Sequence, residues 1–475
     1  VNFNSFVYIL IFLPVAALAF RLAKCLPVAK APQVILLVAS LTFYAWNKPF
    51  SLIYLAGSIT VNWAIAVWIS SSSDSTRKRI LQLGLALNIG FLCAFKYLDF
   101  LINNISHFLR TPIHPLGMGF PLGISFFTLA QIMYLVDCYE LLVPASSLFD
   151  HATFVSFFPY VISGPISRAR RILHQFPVVN GHNGPAADMV ARGIYLFSLG
   201  LMKKVVLADS FARAADYGFQ NVAGLSAAEA WCFVTSYALQ LYFDFSGYTD
   251  MAVASAMLFG IEIPRNFDAP LRSRSIIEFW QRWHITLSGF ITTYLYTPIL
   301  RSFRRATLLT AACATLISMG IAGLWHGANW TFVIFGVIHG IGLAGNQYWR
   351  KMKLPKPPAW LGWLLTFTIV DLAFVFFRAP DMHTAILYLS RLVDWHKPGN
   401  IPDFHDIDGG GLMIVIFSLS QAAGVIAAFT GKTSDQLAHE FVPSRKTYAV
   451  AVACSLLAFL YLNSNIGKPF VYFGF

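Results

Sequence analysis

Charge is what this sequence has least of. Asp, Glu, Lys and Arg together make up 12% of its 475 residues, and 22 residues are acidic. So little charge cannot cover a soluble globular surface. With 57% hydrophobic residues and a mean hydropathy of +0.62, the chain falls among polytopic membrane proteins. Cysteine is sparse and unpatterned. Cys25, Cys93, Cys138, Cys232, Cys313 and Cys454 show no CxxC spacing, which argues against zinc ligation and a disulfide framework and leaves small buried hydrophobes. GxSxG, HExxH and P-loop motifs are also missing, so serine hydrolysis, zinc proteolysis and ATP-driven transport lack their signatures. No linker sets off a soluble domain, and no low-complexity tract or clear repeat occurs. The expectation is one integral-membrane domain, 1–475.

What is present is apolar runs. They lie near 5–23, 33–46, 51–70, 80–98, 119–137, 151–165, 190–208, 229–243, 306–325, 330–348, 360–378, 411–430 and 446–463. Some are short enough to be re-entrant or half-helices, so about ten to twelve crossings are expected, each needing roughly 20 residues. No basic region precedes 5–23, and Arg21 and Lys24 follow it, which reads as a retained span and not a signal peptide. The net charge of +12 sits in short connections: Arg21, Lys24 and Lys30; Arg77, Lys78 and Arg79; Arg350, Lys351, Lys353 and Lys356. It is therefore a topology signal and points to no nucleic acid. The early clusters fall on alternate loops, which places them in the cytoplasm and the N-terminus on the outer side. The mixed-charge connection 379–410 reads as an outer loop.

One segment breaks the pattern. Residues 261–305 mix aromatics with Arg272, Arg274, Arg282, Arg301, Arg304 and Arg305. Within it, "SIIEFWQRWHITLSGFI" is amphipathic but too short to span, so an interfacial or re-entrant helix is expected. Irregular backbone at membrane depth survives where protein buries it or where it lines a wet cavity.

Polar residues inside apolar runs are the candidate site. On a helix over 320–330, Gly320, Gly323 and Gly327 form a small-residue stripe, His326 lies beside it, and His326 and Asn329 share a face. "LQLYFDFSGYTDMA" places Asp244 and Asp250 among apolar and aromatic residues, with Gln240, Asp244 and Tyr248 on one face. Asp244 reads equally well as a structural partner of a neighbouring Trp or Arg. Trp280 and His284 stand at i and i+4, with Arg282 and Trp283 between them. His339 falls about 220° around from His326 on a continuous helix and reads as structural. An intramembrane ionisable residue is functional by default, and a neutral imidazole there can act as a general base toward an alcohol attacking an activated acyl group.

The order of several blocks resembles the membrane-bound O-acyltransferase (MBOAT) family, and within it the bacterial polysaccharide (alginate-type) O-acetyltransferase branch. They include "LTFYAW", "FKYLDF", "FFPYVISGPISR", "GLMKKVVLAD", "QLYFDFSGYTDMA", "NFDAPLRSRSIIEFWQRWHITLS", "GLWHGANWTFVIFGVIHG", "FVFFRAP" and "PFVYFGF", and they run over nearly the whole chain. The resemblance implies an all-α ring of tilted helices around a central chamber. It implies His326 as the catalytic histidine and His284 as the second. Asp244, Arg282, Trp283, Trp325 and Asn329 become candidate chamber-lining residues. It implies no bound cofactor, and an acetyl-CoA or acyl-carrier thioester as donor. The acceptor would be an exported polysaccharide such as alginate or cellulose, reached through a periplasmic SGNH-type transferase from the inner membrane. One departure stands out: where the branch carries an Arg-Asp pair, this chain has Thr292-Thr293, so donor or acceptor preference is open. D-alanyl transfer to an envelope polymer is the nearest alternative. A transporter, or a scaffold of a secretion complex, is the alternative of another class. A transporter should show broken-helix repeats in its two halves, and none is seen.

Overall fold

The structure, a computed structural model, describes residues 2–46, 48–117, 119, 121–398, 411–463 and 470–471, with no side-chain description for 411–416. Helices account for all its regular structure among the described residues, as a bilayer demands of segments that must pair their own backbone groups. Five are long and apolar enough to cross a membrane: Ser51–Ser71, Asp74–Leu109, Leu308–His326, Ala359–Arg378 and Arg445–Asn463. Shorter apolar helices are Tyr8–Ala23, Ala31–Ala45, Ile124–Tyr139 and Phe417–Phe429. The chain is thus an all-α, multi-pass membrane protein in which full-length spans are mixed with the short pieces that the hydropathy pattern anticipates.

Several boundaries differ from expectation. The run 151–165 forms only Leu148–Ser156 before turning non-helical, because Pro159, Gly164 and Pro165 interrupt it. The run 229–243 is part of a much longer helix, Ala227–Met257, since Asp244 and Asp250 inside it pair with Lys204 and Lys203 and need not end it. The connection 379–410, expected as an outer loop, contains a helix, Met382–Val393, capped by Asp381; residues 399–410 lie outside the described residues. Most of "PFVYFGF" does too. Of the cysteines, Cys138 is buried, whereas Cys25 and Cys232 are exposed.

The chain divides into two compact units. The first comprises residues 1–197 and 251–265. Several of its polar groups find partners inside an aromatic core. Tyr8 Oη and Ser255 Oγ share a 2.7 Å hydrogen bond, Asn62 and Asn88 pair between adjacent helices, and His151 Nε2 meets Gln131 Oε1 at 3.0 Å. Lys24 Nζ donates to three carbonyls, of Val179, Gly181 and Asn183.

The second unit comprises 198–250 and 266–475. The segment 261–305, which lies in this unit from residue 266 onward, is broken as the sequence predicts, into Pro270–Arg272, Ile276–Arg282, Ile285–Phe290, a π-helical Ile291–Tyr296 and Thr297–Ser302. Leu308–His326 and Trp330–Lys351 form the unit's closest helix pair. A Cβ on Gly323 would stand 2.2 Å from the Phe332 carbonyl oxygen, and one on Gly336 would stand 2.1 Å from that of Met319. Two backbones can come this close only where both residues lack a side chain. Gly320, expected on the same stripe, faces open space. Gly323→Ala should therefore lower the melting temperature in detergent, by the roughly 1–3 kcal/mol typical of overpacking, while Gly320→Ala leaves it unchanged. Equal melting of the two variants would refute the close approach.

Candidate active site

The site lies in the second unit, and it begins where a helix stops. Leu308–His326 opens on a Thr307/Thr310 capping box and ends at His326, because Gly327 turns extended. Asn329 then caps Trp330–Lys351, its side chain accepting the Thr331 N–H at 3.1 Å while its Nδ2 donates to the Pro380 carbonyl at 2.9 Å. Residues 320–330 are thus two helix ends and not one helix. His326 and Asn329 do not share a face, and His339 sits on the following helix, not around from His326. The glycine at 327 explains the break: a Cβ there would meet the Phe332 ring at 2.2 Å.

His326 is buried among rings. Trp325 lies 5.0 Å away, Phe377 5.1 Å and Phe335 5.8 Å, centroid to centroid. Phe335 also packs against His339 at 4.8 Å, and His339 Nδ1 accepts the Trp280 indole N–H at 3.2 Å. That bond supports the structural reading of His339.

His284 is reached from the other side. Ser275 caps Ile276–Arg282 by accepting the Glu278 N–H. The helix stops at Arg282, Trp283 is extended, and His284 takes a left-handed conformation with φ 43° and ψ 53°. Trp280 and His284 therefore do not share a helix face. A non-glycine residue in this region costs on the order of 1–3 kcal/mol and persists where its surroundings over-determine it. Asn266 supplies that constraint: its carbonyl accepts from Ile285 N, and its Oδ1 accepts from both Thr286 N and Thr286 Oγ1. The His284 ring is fully buried. Phe245 meets it edge-on at 4.7 Å, and Trp325 stands 6.4 Å away. One indole, Trp325, is thus within ring-contact distance of both histidines.

The other predicted residues divide. Trp283 is buried structurally, stacked on Phe279 at 5.5 Å and edge-on to Phe267 at 5.1 Å. Arg282 pairs with Glu278 at 3.0 Å and donates to the Asp268 carbonyl. Arg272 donates to the carbonyls of Ala427 and Ala428. These two arginines brace the backbone. Asp244 accepts from Lys204 Nζ at 2.8 Å and from the Val471 N–H at 2.8 Å, and Lys204 also pairs with Asp209 at 2.8 Å. Asp244 is part of a buried ion cluster beside the site; its predicted partner type, Trp or Arg, is replaced by lysine. Asp250 likewise pairs with Lys203 at 2.6 Å.

Lys204 and Asp209 were missed by the sequence reading. "GLMKKVVLAD" looks like a basic helix end, and the inward turn of its second lysine comes from the π-helical stretch Lys203–Ala208. Asp371 was also missed. It is buried on Ala359–Arg378, with the Thr235 hydroxyl donating to it at 2.8 Å. A lone carboxylate in "TFTIVDLAFVFF" was the available signal.

A cavity of about 650 Å³ adjoins the site. Neither histidine lines it, but Trp280 and Ile285 do, and so do Thr292 and Thr293, the pair that departs from the alginate-type pattern. Among the described residues no cluster of three His, Cys, Asp or Glu is placed to hold a metal.

Comparison with known proteins agrees with this architecture. The sequence model of the membrane-bound O-acyltransferase family matches residues 41–377. A peptidoglycan O-acetyltransferase of Helicobacter pylori is 36% identical over 98% of this chain and 90% of its own length. A probable alginate O-acetylase AlgI of Azotobacter vinelandii is 35% identical over 81% of this chain and 76% of its own. A teichoic acid D-alanyltransferase of Streptococcus thermophilus is 30% identical over 54% of this chain and 68% of its own.

The ion cluster makes a prediction. Lys204→Met leaves two buried carboxylates without their shared cation and should cost about 3–5 kcal/mol of stability in detergent, because breaking a buried pair strands a charge. Adding Asp209→Asn and Asp244→Asn should restore most of the loss. A single Lys204→Met variant as stable as the wild type would mean that the cluster does not hold this unit together.

Proposed function

We propose that this chain, which belongs to the membrane-bound O-acyltransferase family and is an acyltransferase, moves an acetyl group from a cytoplasmic thioester toward the hydroxyls of an exported or envelope glycan. The observation that carries the reading is the pair of buried histidines, His284 and His326, on one indole at the break between two helices.

The chemistry is acyl transfer from a thioester sulfur to a hydroxyl oxygen. The His326 imidazole takes the proton of a hydroxyl as its oxygen attacks the thioester carbonyl. The C–O bond forms, the C–S bond breaks, and the departing sulfur takes the proton back from the imidazolium as free thiol. Positioned base catalysis of this kind contributes about 10²–10⁴-fold. The donor is acetyl-CoA or a carrier-bound acetyl thioester. The enzyme works in the inner membrane with its N-terminus outward, and a periplasmic SGNH-type transferase takes the acetyl group onward. The outer connection 379–410 is its proposed docking face, although 399–410 lie outside the described residues.

Acetyl is favoured over D-alanyl because the O-acetyltransferase relatives align over much more of the chain. For the acceptor, the relative that covers 98% of the chain is named for peptidoglycan, and peptidoglycan therefore joins alginate and cellulose as a proposed glycan. The transporter and scaffold readings fall away for an acyltransferase.

Base-labile acetate on peptidoglycan and on secreted polysaccharide, measured in a deletion strain, identifies the acceptor as the glycan that loses it. Restoring His326→Ala should give membrane-inserted protein with acetate lowered at least 10²-fold. Wild-type acetate in that strain would overturn the role of His326.

A further inference from the structure

The cavity beside the site is larger than an acetyl donor's reacting end requires. At about 650 Å³ it falls within the range of ligand pockets, roughly 300–1,000 Å³, whereas an acetyl group ends in one methyl. Its body is apolar, walled by Ile277, Ile285, Ile291, Met319 and Leu343. Its polar groups include Gln347 and Arg350, in the last turns of Trp330–Lys351. Arg350 is exposed, and no carboxylate among the described residues forms a salt bridge with it. It opens the run Arg350, Lys351, Lys353 and Lys356 at the end of an apolar helix. By the positive-inside rule this run marks the cytoplasmic interface. The facing wall is the π-helical turn Ile291–Tyr296, and such wide turns concentrate at functional sites.

A hydrocarbon-sized body ending in a cation at the inner interface fits one ligand class. We propose that this cavity binds an anionic phospholipid of the cytoplasmic leaflet, with an acyl chain between Ile285 and Leu343 and the phosphate at Arg350. A neutral lipid would leave Arg350 and the following lysines without a role. A nucleotide-like donor would set the two polar amides of its pantetheine arm against the apolar body. The cavity has surplus volume if the transferred group is acetyl, as proposed above. The bound chain packs beside Trp280 and Ile285, the residues that adjoin His339 and His284, and so closes this flank of the site to the bilayer.

Retention of phosphatidylglycerol and of phosphatidylcholine by the full-length protein, read by native mass spectrometry from detergent, tests this. Wild type should retain phosphatidylglycerol about fivefold better, the effect of one basic side chain at a membrane surface. Arg350→Gln should remove that preference and leave phosphatidylcholine unchanged, and Leu343→Trp, which fills the body, should lower both. Equal retention of the two lipids by wild type would overturn the proposal. So would displacement of the lipid by coenzyme A, which would assign the cavity to the donor, or competition by glycerol phosphate as strong as by the intact lipid. His326→Ala should keep the lipid preference. Failure of the acetyl-transfer reading would then appear as glycan acetylation by that variant with lipid selectivity intact, and failure of the lipid site as lost selectivity with acetylation intact.

Discussion

The second unit depends on a charge that has nowhere else to go. Lys204 and Asp244 meet at 2.8 Å with side chains 2% and 1% exposed, and Asp209 shares the lysine. An ion withdrawn from water is tolerated only in close, well-directed pairing, so the pair fixes the Ala227–Met257 helix against the segment 203–208. The helix meets that segment through Gly247, where a Cβ would stand 2.6 Å from the Gly200 carbonyl oxygen. Asp244, Gly247 and Asp250 follow at spacings of three, so one face carries both carboxylates and the close approach between them.

From that fixed face the next residue reaches the two histidines of the proposed site. Phe245 meets His284 edge-on, His284 neighbours Trp325, and Trp325 neighbours His326. The glycine pair Gly323 and Gly336 locks the hairpin that bears His326, and Asn266 holds the strained backbone that bears His284. Each histidine is thus placed by backbone geometry and packed by rings, an arrangement that keeps a reacting group in position without a flexible loop.

Much of this was legible in the sequence because membrane burial penalises every polar residue that lacks a reason to be there. His284, His326, Asp244 and Asp250 stand out against apolar neighbours; the first three are buried and Asp250 is half-buried. The broken character of 261–305 was equally legible, since its arginines and aromatics cannot sit in hydrocarbon. What was not legible came from backbone geometry. A helical reading of 320–330 extends through Gly327, yet the helix ends at His326, where Gly327 turns extended and lies against the Phe332 ring. Lys204 was hidden by its neighbour Lys203, because only the π-helical turn sends both lysines to inward partners. Asp371 was readable as a lone intramembrane carboxylate, but its partner Thr235 lies far away in sequence.

The central claim is that His284 and His326 act as one unit through the indole between them. Residues that act as a unit lose nearly everything when either is removed, so their effects do not multiply. Thioester-dependent acyl transfer should therefore be measured for His284→Ala, His326→Ala and the double variant in membranes of matched protein content. The account predicts that both single variants and the double variant fall to about the same residual rate. Single losses that multiply in the double variant, or full activity in His284→Ala, would show that the two rings work apart.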